Sequence, residues 1–249
     1  MISVMDHGFK FADAIYETMR TINGKPWLLN EHLVRLRKSA KELGLKVPLT
    51  NAQIKSQISR LLKKNNHKES RIRITLTRGS NNFDFNSCKK PTLLIEATKL
   101  SKPRAIKKGI ATITYKIERI APHLKSTNML SSILARQEAH KHKAFEALLV
   151  DRHNNITEGA FSNIFVVQKG QLITPKDGIL EGTTRNFILK KYPKVRIANI
   201  PLAKIHKYDE IFITSSTNFV VPVVKVDGRP IKNGKIGRIT QNIIKLLPL

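Results

Sequence analysis

The chain has little of what would place it in several common classes of protein. Cys88 is its one cysteine, so an internal disulfide and a cysteine-only metal cage are both excluded. No apolar stretch approaches the ~20 residues that a membrane-spanning helix needs, and no basic region followed by a long apolar segment opens the sequence. An integral helical membrane protein is therefore excluded, a secretory signal is not expected, and the cytoplasm is the expected location.

Acidic residues are also scarce, because 18 Asp and Glu stand against 45 Lys and Arg, which gives a formal net charge of +27. Such an excess is typical of a nucleic-acid-binding protein or of a lysine-rich surface that attracts anionic metabolites. The basic residues are spread in short pieces such as Lys63-Lys64 and Lys190-Lys191, and aromatic residues make up only 6%. With no basic tail and no aromatic-rich RNA-binding strand, we favour the solvated surface and do not expect a nucleic-acid partner.

Hydrophobic residues make up 41% of the 249, which suffices for a folded core in one or two domains. In the first hundred residues, the apolar spacing predicts a helix capped by Asn30 and a second helix capped by Thr50. The alternating segment Arg71–Thr77 predicts a half-buried strand, and a neighbouring strand is expected at Thr92–Thr98. The lysine-rich segment Ser101–Gly109 is typical of a connection between two lobes.

Helix and strand patterns are mixed throughout the rest of the chain. They predict strands at Ile110–Tyr115, Phe145–Val150, Asn163–Val167, Glu210–Thr214 and Val220–Val226, and helices through Leu130–Ala139, Thr184–Lys191 and Ile239–Leu246. We therefore predict an α+β fold with a small N-terminal α/β lobe, residues 1–104, and a larger C-terminal lobe, residues 105–249, that carries Lys125.

Several polar residues suit chemistry, although each also has a plain structural interpretation. Lys125 could form a Schiff base, but taken alone it is better explained as an exposed lysine at a helix start. Glu158 could be a turn residue or a carboxylate that keeps a ring nitrogen protonated. Thr183 and Thr184 open a helix, as a phosphate cradle or an ordinary cap would. The hydroxyl-rich segment Thr214–Thr217 suits contacts to phosphate or carboxylate.

Five segments together resemble one enzyme family by their order along the chain. These segments are His32–Ala40, Lys125–Leu130, Thr157–Phe165, Glu181–Arg185 and Thr214–Thr217. They resemble the class IV (fold type IV) enzymes that depend on pyridoxal 5'-phosphate, a family of D-amino-acid aminotransferases, branched-chain aminotransferases and 4-amino-4-deoxychorismate lyases. The resemblance runs from about Asp6 to the C-terminus. It implies a cofactor held between the small and the larger lobe, and a homodimer in which a loop of the neighbour completes each site.

The resemblance also assigns roles by position. The residues that would bind the cofactor are Lys125 as the Schiff-base and proton-transfer residue, Glu158 on the pyridine nitrogen, and Arg35, Thr183, Thr184 and Ser216 on the phosphate. The residues that would contact the substrate are Tyr16, Ser162 and Thr217. The residue types suit these roles, because a carboxylate keeps a pyridinium protonated and a dianionic phosphate needs a cation and a helix N-terminus.

The sequence departs from the family pattern in two places. The usual Gly-Asp-Gly is here Ala12-Asp13-Ala14, which removes backbone freedom at two points. The D-amino-acid branch binds the substrate carboxylate with an Arg-x-His pair, and the matching positions here hold Phe83 and Phe85.

The segment Lys125–Leu130 is closer to the D-amino-acid and lyase branches than to the branched-chain branch. The loop at residues 81–85 offers no cation, which favours a substrate smaller and less charged than aminodeoxychorismate. We therefore expect an aminotransferase that moves an amino group between a small amino acid of the D-amino-acid type and a 2-oxo acid. The alternatives are a 4-amino-4-deoxychorismate lyase, which gives 4-aminobenzoate and pyruvate, and a basic binding protein with a decayed enzyme fold.

Overall fold

The computed structural model describes residues 2–80, 83–100, 108–192 and 194–248. The chain divides into two compact units. The first comprises Met1–Lys102 and Leu124–Asn128, and the second comprises Pro103–His123 and Met129–Leu249. The expected lobe boundary near residue 105 and most of the expected connection at Ser101–Gly109 lie outside the described residues, so that boundary stays a prediction.

The first unit is a four-stranded antiparallel sheet, within the described residues, with two helices packed on one of its faces. The strands follow the order β2-β1-β3-β4. The elements are α1 (His7–Phe11), β1 (Ala14–Ile22), β2 (Lys25–Pro26), α2 (Leu29–Glu42), α3 (Asn51–Asn65), β3 (Ser70–Thr77) and β4 (Thr92–Lys99).

The alternation of β3 divides the two faces of this sheet. Its isoleucines and leucine join Ile15 and Met19 of β1 in a core that α2 and α3 cover. Because successive side chains of a strand point to opposite faces, Tyr16 of β1 and Arg73 of β3 lie on the face away from this core. The face under α2 and α3 is therefore mostly apolar, and the opposite face is available for polar chemistry.

The two predicted helix caps have different outcomes. Thr50 caps α3 as predicted, in a capping box with Gln53. The Asn30 cap is wrong, because α2 begins at Leu29 and its N-cap is Leu28, a left-handed residue whose side chain makes no capping bond. The backbone turn at Leu28 starts the helix earlier than the side-chain chemistry of Asn30 would.

The segment Leu124–Asn128 pairs with the start of β1. The N–H of Tyr16 donates to the carbonyl of Lys125 at 2.9 Å, and the N–H of Thr127 donates to the carbonyl of Ala14 at 2.9 Å. These antiparallel bonds attach Lys125 to the first unit, whereas we expected it in the C-terminal lobe.

The second unit is built on a ten-stranded mixed sheet, counted within the described residues. The strands follow the order β10-β9-β8-β12-β13-β5-β6-β7-β11, and β14 pairs with β13. The elements are β5 (Ile110–Lys116), α4 (Leu130–Lys141), β6 (Glu146–Val150), β7 (Asn155–Gly159), β8 (Asn163–Gln168), β9 (Gln171–Thr174), α5 (Thr183–Lys191), β10 (Val195–Ile197), β11 (Ile200–Pro201), a 3-10 helix (Leu202–Lys207), β12 (Glu210–Ser215), β13 (Phe219–Val226), β14 (Arg229–Pro230) and α6 (Arg238–Lys245).

Helices cover the second sheet at separate places. Ala135 and Ala139 of α4 pack on β5 and β6, while Ile188 of α5 and Ile243 of α6 pack on the stacked pair Phe165 and Phe212. The predicted α+β class is confirmed. Among the described residues, no helix is both long and apolar enough to cross a membrane.

Candidate active site

Lys125 lies beside an aromatic ring on the polar face of the first unit. Its Nζ is 4.6 Å from the centroid of the Tyr16 ring, and Tyr16 itself is 8% exposed. Lys125 is half-buried and precedes α4, which begins five residues later at Leu130. The structure therefore does not support the simple interpretation of an exposed helix-start lysine. Partial burial beside this ring limits the positions that the amine can occupy, as a residue that forms a Schiff base requires.

Arg35 is held by a buried carboxylate that the sequence analysis missed. Its Nε donates to Oε1 of Glu17 at 2.8 Å, and its Nη2 donates to Oε2 at 2.7 Å. His32, one turn earlier on α2, places Nδ1 2.6 Å from the same Oε2. The side chains of Glu17 and His32 are buried, whereas that of Arg35 is 12% exposed. The two hydrogen bonds to Glu17 therefore fix the orientation of the Arg35 guanidinium, which still reaches the surface.

This cluster sets the charge of its members. Burial opposes ionisation of Glu17, but the charge of Arg35 and the hydrogen bonds from Arg35 and His32 outweigh it and hold the pKa of Glu17 at about 2. Burial lowers the pKa of His32 despite the neighbouring carboxylate. At neutral pH the cluster therefore consists of a carboxylate, a guanidinium and a neutral imidazole.

Glu158 is a strand residue of β7, not a turn residue. Its side chain is 4% exposed, and Arg119 donates from Nη1 to Oε1 at 2.6 Å. The backbone N–H of Leu180 donates to Oε2 at 3.0 Å. Since a charge-assisted bond and a backbone donor both favour the ionised form, the carboxylate is stabilised as an anion inside the second unit.

The N-terminus of α5 presents hydroxyl groups and uncapped backbone donors. Gly182 is the N-cap of α5 and offers no side-chain cap. Thr183 is the first helical residue. The hydroxyls of Thr183 and Ser216 are 3.1 Å apart. Thr184 is 2% exposed, and its Oγ1 finds no hydrogen-bond partner within the described part of the chain. A Cβ at residue 182 would clash with Oδ1 of Asn163, so any residue other than glycine would require the Asn163 side chain to move.

Ser162 and Thr217 line one cavity of about 310 Å³ in the second unit. Glu146 lies in its wall, 3.3 Å from Nη1 of Arg136, and accepts a long hydrogen bond of 3.5 Å from Ser162 Oγ. Burial raises the pKa of Glu146 to about 7, although the charge of Arg136 opposes this rise. The hydroxyl of Thr214, also in the wall, is buried without a hydrogen-bond partner among the described residues. The cavity wall is therefore polar, and the charge of Glu146 in it changes near neutral pH.

Phe83 and Phe85 are exposed at 70% and 48%. Their ring centroids lie 5.5 and 5.3 Å from that of Phe11, and the Phe85 centroid lies 5.1 Å from that of His7. Lys10 approaches the Phe83 ring at 4.9 Å. Phe83 and Phe85 therefore form an aromatic cluster with His7 and Phe11, and Lys10 is the cation beside it.

Within the described residues, three pairs of predicted site residues lie together in the two units. The pairs are Lys125 with Tyr16, Thr183 with Ser216, and Ser162 with Thr217. Arg35 and Glu158 each bind a partner that the sequence analysis missed, namely Glu17 and Arg119. Glu17 could have been noticed as an acid inside an apolar strand, whereas nothing in the local sequence distinguishes Arg119 from the other basic residues.

Solved structures share this fold. A branched-chain amino acid aminotransferase of T.th., solved with pyridoxamine 5'-phosphate, is 26% identical and has a TM-score of 0.91, with 99% of this chain and 87% of that chain covered. The same enzyme has been solved with N-(5'-phosphopyridoxyl)-L-glutamate. The expected fold type IV architecture is therefore confirmed.

Sequence comparisons point to the same family. A protein of Methanocaldococcus jannaschii with a provisional description as a branched-chain-amino-acid aminotransferase is 35% identical, over 97% of this chain and 88% of that protein. The D-alanine aminotransferase of Bacillus licheniformis is 31% identical, over 97% of this chain and 89% of that protein. The family model for amino-transferase class IV matches residues 14–226. The chain therefore belongs to the class IV aminotransferases, an enzyme family, as its five ordered segments led us to expect.

Proposed function

We propose that this enzyme uses pyridoxal 5'-phosphate to move an amino group between a small amino acid, of the D-amino-acid type, and a 2-oxo acid. The observation that carries the proposal is the half-buried Lys125 beside the Tyr16 ring. A lysine in such a setting is suited to form a Schiff base and to carry a proton. The similarity to D-alanine aminotransferases supports the branch.

The residues fit the phosphate of this cofactor. Thr184 has a buried hydroxyl with no described partner, and it stands at a helix N-terminus whose first N–H groups are uncapped. An anion with several oxygens satisfies such donors and gains from the helix dipole. We assign Thr183, Thr184 and Ser216 to this role, together with the guanidinium of Arg35.

The carboxylate of Glu158 fits the ring nitrogen. Arg119 and the Leu180 N–H each occupy one oxygen, and a carboxylate oxygen can accept more than one hydrogen bond. The bound cofactor would supply an electron sink for the electrons that remain at the substrate Cα after proton removal. Glu158 would keep the ring nitrogen of a bound cofactor protonated, and Arg119 orients the Glu158 carboxylate.

The remaining residues act on the substrate. Nζ of Lys125 takes the proton from Cα and returns it, while the Tyr16 ring excludes water on its side of the amine. Ser162 and Thr217 bind polar groups of the substrate with their hydroxyls. We also propose that the active form is a cytoplasmic homodimer, since the family resemblance implies a site completed by a neighbour's loop; an active monomer in light scattering at dilute concentration would refute this assembly.

A substrate screen with the purified holoenzyme tests the proposal. D-alanine, L-alanine, D-glutamate and the branched-chain amino acids should each be incubated with a 2-oxo acid. We expect visible absorption from the bound cofactor, a spectral change with at least one donor, and release of the matching oxo acid. Pyruvate and 4-aminobenzoate from aminodeoxychorismate, with no response to any donor, would instead identify the lyase. No visible absorption after incubation with the cofactor would favour a decayed binding protein.

A further inference from the structure

Leu180 is held from both sides by residues of the hairpin that carries Glu158. Its N–H donates to Oε2 of Glu158 at 3.0 Å, and its carbonyl accepts a hydrogen bond from Nδ2 of Asn163 at 2.7 Å. Leu180 and Asn163 are both buried, at 9% and 6% exposure. Because buried backbone groups need hydrogen-bond partners, these two bonds fix the position of Leu180.

The other end of the Asn163 amide lies against the residue that begins α5. Oδ1 of Asn163 is so close to Gly182 that a Cβ there would clash with it. The carbonyl of Gly182 accepts a hydrogen bond from within α5, and the first turn of the helix follows directly. One side chain therefore contacts both ends of the segment at residues 180–182, which connects the Glu158 contact to the helix N-terminus.

Asn163 belongs to a strand that is paired on both edges. It begins β8 and lies opposite Thr214 of β12, and β9 pairs with the other edge of β8. The segment between β9 and α5, residues 175–182, is neither helix nor strand. The position of this segment therefore depends on side-chain contacts, and Asn163 attaches it to a rigid part of the sheet.

We propose that Asn163 is a positioning residue that sets the distance between the phosphate site at Thr183 and Thr184 and the carboxylate of Glu158. This proposal rests on the proposed function, because it takes both groups as contacts of one cofactor. A ligand that spans two groups gains from both only when their separation matches its own length. Fixing the segment between them before binding therefore raises the affinity of such a ligand, whereas a ligand that reaches only one of the groups gains nothing.

The test compares three ligands on the full chain after bound cofactor has been removed by dialysis. Pyridoxamine 5'-phosphate spans both groups and forms no Schiff base with a lysine, whereas inorganic phosphate and pyridoxamine each reach only one group. Asn163→Leu keeps the size of the side chain and removes its hydrogen bond to Leu180. Calorimetry should show about tenfold weaker binding of pyridoxamine 5'-phosphate, roughly the effect of one lost hydrogen bond, and a change below about twofold for the two smaller ligands.

A matched control and a second variant accompany this substitution. Nδ2 of Asn65 donates to the carbonyl of Ala97 at 2.8 Å in the first unit, so Asn65→Leu removes the same kind of bond elsewhere. It should lower the unfolding free energy and leave all three affinities unchanged. Asn163→Ser, which leaves space for a water molecule at Leu180, replaces Asn163→Leu if that variant does not fold, and the same pattern of affinities is expected.

Three results would overturn the inference. Wild-type affinity for pyridoxamine 5'-phosphate in the Asn163 variant would show that the residue only stabilises the fold, and would leave the proposed function standing. Equal losses for pyridoxamine 5'-phosphate and inorganic phosphate would show that Asn163 shapes the phosphate site itself and does not set a distance. No binding of pyridoxamine 5'-phosphate by wild type would refute the proposed function together with the inference.

Discussion

Glu146 should make the stability of the protein depend on pH in the neutral range. Glu146 is 3% exposed, and its burial is only partly compensated by an ion pair of 3.3 Å, a long hydrogen bond of 3.5 Å and a backbone hydrogen bond from Ala147. Burial therefore raises the pKa of Glu146 from 4.5 to about 7. The folded protein keeps a proton on this group at a pH at which the unfolded chain has released it.

The direction and size of the effect follow from this difference. The protonated carboxyl contributes stability that is fully present below pH 4.5 and is lost as the pH rises through 7. Each pH unit between the two pKa values is worth ~1.4 kcal/mol, so wild type should lose about 3 kcal/mol of unfolding free energy from this group between pH 4.5 and pH 8. Gln is close in shape to the protonated acid and has no such dependence. Glu146→Gln should therefore match wild type at pH 4.5 and exceed it by about 3 kcal/mol at pH 8.

Urea unfolding of both proteins at half-unit steps from pH 4.5 to 8 measures the difference. Glu138→Gln, on the neighbouring helix α4, is the control. The side chain of Glu138 is 31% exposed, and its hydrogen bond to Lys141 lowers its pKa, so that variant should run parallel to wild type across this range. A constant difference between Glu146→Gln and wild type from pH 4.5 to 8 would show that the carboxyl titrates normally and that our account of the cavity wall is mistaken.

Four further substitutions have defined outcomes. Glu17→Gln should lower the unfolding free energy at pH 7 by about 3–5 kcal/mol in urea titrations, because it leaves a guanidinium without its buried partner; since the pKa of Glu17 is held at about 2, its contribution in wild type is present above pH 4.5 and lost as the pH falls through 2. Ala12→Gly should raise the unfolding free energy by about 1 kcal/mol, because Ala12 has a left-handed φ of 55°. The matched control Ala14→Gly, in a buried strand, should lower the unfolding free energy. Lys125→Ala should abolish turnover and borohydride labelling without changing the circular dichroism spectrum, and labelling of another lysine in wild type would contradict the assignment.

Features set by neighbouring residues were predictable from the sequence. The box between Thr50 and Gln53 spans three positions, and the alternation of β3 is a property of one strand. The partners of the site residues were not predictable in this way. Glu17 and Arg35 are 18 residues apart and meet only because α2 packs on β1, and Arg119 and Glu158 are 39 apart. Contacts of this kind depend on tertiary packing that periodicity does not encode.

The left-handed conformation of Leu28 was missed for a related reason. Leu28 and Ala12 have φ values of 53° and 55°, a region that glycine or asparagine would have indicated. Ala12 stands where the resembled family has glycine, whereas the side chain of Leu28 gives no sign of its conformation, which the surrounding turn imposes. At Ala12 the turn leads directly into β1, where the next residues pair with the segment that carries Lys125. The strain at Ala12 therefore lies at the entry to β1, the strand that carries Tyr16.

Because acidic residues are scarce, only some arginines of this chain have a carboxylate partner. Three carboxylates are buried at arginines, namely Glu17 at Arg35, Glu158 at Arg119 and Glu146 at Arg136. In each case the protein itself supplies the counter-charge, and the arginine is fixed before any ligand arrives. Arg73 is equally well positioned by Tyr16 and Thr75, but no described carboxylate of the chain neutralises it. The few buried glutamates are therefore compensated within the fold, and the larger number of basic side chains is left to solvent or to ligands.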